Sequence, residues 1–458
     1  MKRIYLDWGV ISNLKKPEYA EVREFLLAHK KNLFFVYSPA HFEDAMRSEG
    51  DVRLLHDIKM LESLVDNHFI AYSKNGTFPY LLTPTEYYHE NQGKKLDVIP
   101  DYSDILLSIS NDIPELGGLL KMLLDLPFPI PEAARSHDLF CQMLPGLPES
   151  PSLHDVLHSG VIFMNNMMSD RDYYKNYRSS IWSSGLKIDS NAGKWEAKEV
   201  IPNISAHMKS HGVDKTFEDL VLMGFGNNDK VDRFRFFLSA YSMLDLFGYK
   251  ADKLHKAGNA MNSVNTDAQH AYYAAFCDFF ITQDTHLASK AQALYNEFKI
   301  STKVITPFKV INELNEKRSD DLGLLIREQL KEINIVSREE GAIAYKLSLP
   351  FLGVFTHCVM YEQEDGTLLV LKLVFQNYSN FIFYEEAEMM IDVVSDYFGR
   401  PSSEEYESVR KRIVDGDINA AICWRGDGAS FVLMADSENH RPELYVKING
   451  GLGLDKAI

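Results

Sequence analysis

Short apolar strands that run directly into helix starts occur at the two ends of residues 1–310 and not between them, which limits the architectures open to the chain. Residues 3–7, RIYLD, read as a buried strand ending in Asp7, and Val10, Ile11 and Leu14 continue it as a helix. Residues 33–37, LFFVY, form a second strand, with Ser38 at a helix N-cap and Pro39 at the first helical position. The alternation returns at Thr266. A helix over 266–277 has Ala268, Ala271, Ala274 and Ala275 as a small-residue face, followed by the strand Phe279–Thr282, the helix Thr285–Phe298 and the strand Lys303–Thr306. Two β-α units at the front and two at the back predict one parallel α/β sheet with flanking helices. The segment from about 75 to 260 reads as a large helical insertion, with amphipathic stretches at Leu119–Leu124, Val156–Met168 and Phe234–Phe247.

The tail has a different character. Residues 311–330 read as a polar, helical connector, and 331–458 as an accessory α+β domain with an antiparallel sheet. Its strand-like runs are Leu368–Phe375, Ala420–Trp424, Ser430–Ala435 and Leu444–Ile448, with one helix at Tyr384–Phe398. Residues 331–458 hold 12 basic against 21 acidic residues, within a chain of net charge −17. Such a surface suits a protein partner better than a nucleic acid. It does not exclude a nuclease whose own site is a carboxylate cluster needing divalent cations to meet phosphate.

Several classes are excluded. The longest uncharged apolar run, Leu347–Tyr361, is fifteen residues broken by Pro350 and His357, short of the roughly 20 that a spanning helix needs. MKRIYLDWGV has no apolar segment before its Asp and is not expected to be a signal peptide. Cys141, Cys277, Cys358 and Cys423 show no CxxC pairing, as expected of reduced thiols in a cytoplasmic protein. Neither HExxH, GxGxxG nor GxxxxGK[ST] occurs.

In a parallel sheet, ligands bind beyond the carboxyl ends of the strands. Asp7 closes the first strand, Glu43 and Asp44 lie in the first turns of the helix after the second, and Asp284 follows the strand FFIT. Asp267 opens the helix leading into that strand. Acids gathered so closely repel one another unless a cation neutralises them, and hard oxygen-ligand metals such as Mg²⁺ or Mn²⁺ are the usual solution.

These segments, IYLD at the N-terminus, SPAHFEDAM after the second strand and TDAQHAYYAAFCDFFITQD near 270–284, resemble the PIN-domain nucleases. The resemblance covers roughly residues 1–60 and 260–310. It implies a PIN-like fold and a metal-dependent endonuclease, with Asp7, Glu43 or Asp44, Asp267 and Asp284 binding Mg²⁺ or Mn²⁺. Apolar residues two before and one after the family's second acid match Asp44, through Phe42 and Ala45, and not Glu43. Trp8-Gly9 follow Asp7 where the family often carries Ser, Thr or Asn. The family often has an acid at the position of Asp278, expected here to support structure more than to bind metal. The implied substrate is nucleic acid, RNA in preference to DNA. A long member with added modules resembles a bacterial toxin, stress or anti-phage defence effector, an analogy at the level of fold. The alternatives are a catalytically silent PIN-like scaffold and a structure-specific DNA nuclease.

Simpler readings stand beside these. Asp267 alone could be a first-turn acid on its helix, and Asp284 alone an N-cap. His270 and His41 share helix faces with Asp267 and Asp44 and are expected to be packing histidines. Asp436, Ser437 and His440 read as a turn. Among the 27 Phe and 23 Tyr, the Tyr173–Arg178 stretch reads equally as a stacking surface for single-stranded nucleic acid and as core, and Arg233–Phe237 as core.

Overall fold

A computed structural model describes residues 1–47, 51–92, 120–188, 194–225, 231–252, 261–315, 317–330, 334–375, 378–401 and 405–449. Leu119, expected in an amphipathic helix, lies outside them. Strands β1 (Lys2–Leu6) and β2 (Leu33–Val36) come first, a hairpin of β3 (His68–Ser73) and β4 (Gly76–Leu81) follows, and β5 (Phe279–Ile281) and β6 (Lys303–Ile305) return late. The first sheet has the order β2-β1-β5-β6 and every pairing in it is parallel. The two strand pairs predicted 240 residues apart therefore share one sheet, Ile4 facing Phe279 and Leu6 facing Ile281.

Strand alternation divides the sheet's side chains between two cores. Ile4, Leu6, Leu33 and Phe35 pack with α1 (Trp8–Asn13), α2 (Ala20–Ala28), α3 (Pro39–Met46) and α4 (Asp51–Val65). Tyr5, Phe34, Val36 and Phe280 face the other way. That second face is covered by the helical insertion, through α5 (Leu153–Ser169), α6 (Arg171–Ile181), α7 (Val200–Ser210), α8 (Phe217–Met223) and α9 (Arg233–Leu246), together with α10 (Met261–Ala274) and α11 (Thr285–Glu297). The insertion is thus a structural layer of the sheet domain. Ala268, Ala271, Ala274 and Ala275 are all fully buried, so α10 packs closely in the middle of this layer. The Tyr173–Arg178 stretch belongs to it: Tyr174 is buried in the core, and Arg178 pairs with buried Asp245 at 2.8 Å. Tyr173 and Tyr177 are half-buried and meet the Phe163 ring edge-on.

The β3–β4 hairpin was not anticipated from the alternation. It closes at Ser73–Gly76, with Gly76 at φ +119°, a value that side chains disfavour. Helix α10 runs over Met261–Ala274, so Asp267 sits in its interior and not at its start.

The C-terminal part folds around β7 (Ile335–Glu339), β8 (Ala342–Phe351), β9 (Phe355–Gln363), β10 (Gly366–Lys372), β11 (Ala421–Gly426), β12 (Ala429–Ala435) and β13 (Pro442–Asn449). These make a seven-stranded antiparallel sheet in the order β11-β12-β13-β10-β9-β8-β7. Helices α12 (Tyr384–Phe398) and α13 (Tyr406–Val414) pack on it through Met390, Ile391, Val394 and Ile413. Leu325 and Leu330, from the expected connector, are buried in the same core. Leu322, Leu325, Ile326 and Leu330 of the connector thus pack with this unit, while Leu314 packs against the core of the first sheet.

The two units are joined through Arg3 of β1. Its side chain is 1% exposed and donates from Nε to Glu386 Oε1 at 2.9 Å, and from Nη2 to Glu386 Oε2 at 2.6 Å and to the Phe381 carbonyl at 2.8 Å. The guanidinium carbon lies 3.6 Å from the centroid of the Phe375 ring. A buried charge is tolerable when it is paired and fully hydrogen-bonded, and Arg3 meets both conditions.

Candidate metal centre

Asp7 follows β1 and its backbone N–H extends the ladder to the Ile281 carbonyl at 2.9 Å. The carboxylate is held at the carboxyl edge of the sheet by Thr282, whose hydroxyl donates to Asp7 Oδ2 at 2.9 Å. The same Thr282 Oγ1 accepts the N–H of Asp284 at 3.0 Å. With Trp8-Gly9 following Asp7, it is Thr282 on the neighbouring strand that orients this acid.

Helix α3 starts as its residues require, with Ser38 in extended conformation at the N-cap and Pro39 first in the helix. Its acids have different fates. Both oxygens of Glu43 are occupied, by Gln269 Nε2 at 2.9 Å and by Thr266 Oγ1 at 2.9 Å. Asp44 instead meets His270: Nε2 lies 3.1 Å from Asp44 Oδ2, while Arg47 lies 3.3 Å from Oδ1. Asp7, Asp44 and His270 each present a donor atom within 4.8 Å of one another.

Asp267 and Asp284 are not part of this group but interact with it electrostatically, Asp284 with Asp7 and Asp267 with Asp44. Burial, then the charges of Asp252 and Asp44, push the Asp267 carboxyl well above the ordinary carboxylate range. Among the described residues no hydrogen bond satisfies it. Asp284 is the N-cap of α11: its Oδ1 accepts from the N–H of His286 at 2.7 Å and of Leu287 at 2.9 Å. Cap and candidate ligand are compatible, since Oδ2 accepts no hydrogen bond among the described residues. Asp278 lies elsewhere. It starts β5 at the amino edge of the sheet, where Oδ2 accepts the Arg3 N–H at 2.7 Å, so it does not join the cluster.

Burial raises the Asp7 carboxyl; His270 opposes this and the Asp44 charge adds to it. Burial disfavours a charge on His270, but the hydrogen bond and charge of Asp44, with Asp7 and Glu43, outweigh it and raise the imidazole above its usual value. His41 behaves oppositely: burial and His270 push it down to about 3, so it is neutral. The carboxylates around His270 thus favour its charged form.

Beside this edge lies an ion-pair network absent from the sequence reading. Lys290 of α11 is 0% exposed and lies 3.1 Å from Asp245 Oδ1 and 3.1 Å from Asp252 Oδ1. Its ammonium sits 4.8 Å from the centroid of the Tyr241 ring. The network ties the helical insertion to α11 and puts Asp252 within electrostatic reach of Asp267 and Asp284. The signal was Asp245 and Lys290 on apolar helical stripes, a position that only a paired charge tolerates. His270 was missed for a related reason: one histidine on an apolar stripe looks the same whether it packs or ligates.

Among the described residues, no helix is long and apolar enough to cross a membrane. No family model matches the chain, and no curated protein or solved structure matches it significantly.

Proposed function

We propose that this chain is a divalent-metal-dependent nuclease of PIN-like fold that hydrolyses phosphodiester bonds in RNA. The observation supporting this most directly is the convergence of Asp7, Asp44 and His270 at the carboxyl edge of a parallel sheet, with Asp267 and Asp284 within electrostatic reach. The donor set fits a divalent ion. Two carboxylates and an imidazole form a usual ligand combination, and acids raised above their ordinary range by burial and mutual repulsion gain most from one. When bound, the metal supplies Lewis-acid polarisation of the phosphate and an acidified water.

The protein's own groups carry the rest. Thr282 fixes the Asp7 carboxylate. The α11 cap fixes Asp284 through Oδ1 and leaves Oδ2 for the solvent side. Asp267, satisfied by no hydrogen bond among the described residues, would take the proton of the attacking water. Water attack in line with the P–O3′ bond would break that bond and leave a 3′-hydroxyl on one fragment and a 5′-phosphate on the other, and no side-chain nucleophile is needed. The acidic C-terminal unit, fused to β1 through Arg3 and Glu386, would present a surface to a protein partner.

The test is to incubate the purified chain with 5′-labelled single-stranded RNA and DNA of the same sequence, with Mn²⁺ or with EDTA. Metal-dependent RNA fragments with 3′-hydroxyl ends are expected. Cleavage of DNA alone would transfer the reading to a DNA nuclease. Fragments ending in 2′,3′-cyclic phosphate would overturn the water mechanism.

A further inference from the structure

His270 was expected to be a packing residue, and its surroundings argue otherwise. It is 0% exposed, yet its ring is not merely enclosed by apolar groups; each nitrogen has a defined polar partner. Nδ1 lies 3.0 Å from the Tyr5 hydroxyl and Nε2 lies 3.1 Å from Asp44 Oδ2. Tyr5 in turn lies 2.6 Å from Ser38 Oγ. His41 completes the network: its Nδ1 accepts the Ser38 N–H at 3.1 Å and its Nε2 donates to the Leu6 carbonyl at 2.8 Å.

We infer that His270 is a metal ligand through Nε2, and that it makes the centre selective for a first-row transition ion over Mg²⁺. This rests on the metal-centre reading above. The hydrogen-bond directions support it. Tyr5 has Ser38 Oγ as acceptor for its own proton, so the phenol oxygen can accept from His270 Nδ1–H. With Nδ1–H so engaged, displacing the Nε2 proton now shared with Asp44 would leave the Nε2 lone pair facing Asp44 and Asp7. A ligating histidine almost always donates its second N–H to such a partner, which fixes the ring and raises its basicity. The donor atoms of Asp7, Asp44 and His270 lie within 4.8 Å of one another. Mg²⁺ favours oxygen donors and keeps its waters, whereas an imidazole nitrogen strengthens binding along the transition series.

The experiment uses the full chain, freed of metal, and titrates Mn²⁺ and Mg²⁺ by calorimetry. Wild type is expected to bind Mn²⁺ at least tenfold tighter than Mg²⁺. His270→Asn should lose that preference while keeping Mg²⁺ affinity. Tyr5→Phe, which retains the ring and loses only the hydroxyl, should weaken Mn²⁺ about tenfold and carries the test if His270→Asn does not fold. Electron spin-echo spectra of the Mn²⁺ complex should show a nitrogen coupling that His270→Asn removes. Equal affinity for the two ions, an undiminished Mn²⁺ affinity in both variants, or a spectrum without nitrogen coupling would overturn the assignment. Selective Mn²⁺ binding with nitrogen coupling but without cleavage of RNA or DNA would remove the nuclease reading and leave the ligand assignment standing.

Discussion

His270 Nε2 and Asp44 Oδ2, from residues 226 positions apart, lie 3.1 Å apart at the carboxyl edge of the parallel sheet. The pair joins α10, which follows the helical insertion, to α3, which precedes it. The two halves meet through the β1–β5 pairing, and helices of the long segment between pack against α10 in the same core.

The acids cost stability as long as no cation is bound. Asp7 is raised by burial and by Asp44, and Asp267 by burial, Asp252 and Asp44. A carboxyl held above its unfolded value carries no penalty below the ordinary carboxylate range. The penalty grows as pH rises through the raised value. His270 works in the same direction: its raised value adds stability that is fully present below about 6.5 and is lost as pH rises through the folded value. The metal-free chain is expected to melt at a lower temperature at pH 7.5 than at pH 5.5, and Mn²⁺ should reverse the difference. Thermal melts with and without EDTA check this, and a metal-free Tm that rises with pH over that range would contradict it.

Thr282 should matter beyond its own burial. Thr282→Val removes the donor to Asp7 Oδ2 and the acceptor of the Asp284 N–H, and keeps the side-chain shape. Loss of one buried hydrogen bond costs about 1 kcal/mol, while loss of ligand orientation costs about tenfold or more in metal affinity. Parallel denaturant titration and Mn²⁺ calorimetry should show the larger effect in binding.

Arg3 and Glu386 are expected to make the two units unfold together. Removing one member of a buried pair costs about 3–5 kcal/mol because the other is left unpaired. Arg3→Ala should therefore split one calorimetric transition into two, and Glu386→Gln should lower the transition less, since an amide can still accept from the guanidinium. A single unshifted transition in Arg3→Ala would show that the contact contributes nothing.

Lys290 is fully buried against Asp245 and Asp252. Lys290→Met keeps much of the volume, leaves buried Asp245 to Arg178 alone and takes the buried cation from half-buried Asp252, so destabilisation of up to about 3 kcal/mol is expected. The double variant Lys290→Met/Asp245→Asn should recover part of that loss. Equal stability of the single variant and wild type would remove the network from the account.

Much of the frame was legible in the residues. The strands RIYL, LFFV and FFI, the N-cap at Ser38-Pro39 and the parallel pairing across the insertion follow from apolar runs bounded by helix starts. The β3–β4 hairpin carried its turn signal in Asn75-Gly76 but lay at the edge of a region read as helical. The start of α10 was placed too late because Thr266-Asp267 resembles a cap, whereas Thr266 Oγ1 bonds back to the Asn262 carbonyl inside the helix. The role of the connector leucines was hidden by their polar neighbours. At the site, Asp7 closes a strand and Asp284 caps a helix as the apolar runs suggest, while Asp44 lies in the second turn of α3. His270, Asp252 and Lys290 were not readable, because their meaning depends on packing between segments far apart in the chain.

The most direct measurement compares wild type with Asp7→Asn on labelled single-stranded RNA in Mn²⁺, with both proteins shown folded by circular dichroism. The account predicts metal-dependent cleavage by wild type, none in EDTA, and a loss of at least a hundredfold in Asp7→Asn, whose removed charge also relieves the repulsion from Asp44. Undiminished cleavage by Asp7→Asn, or absence of metal-dependent cleavage by wild type, would contradict it.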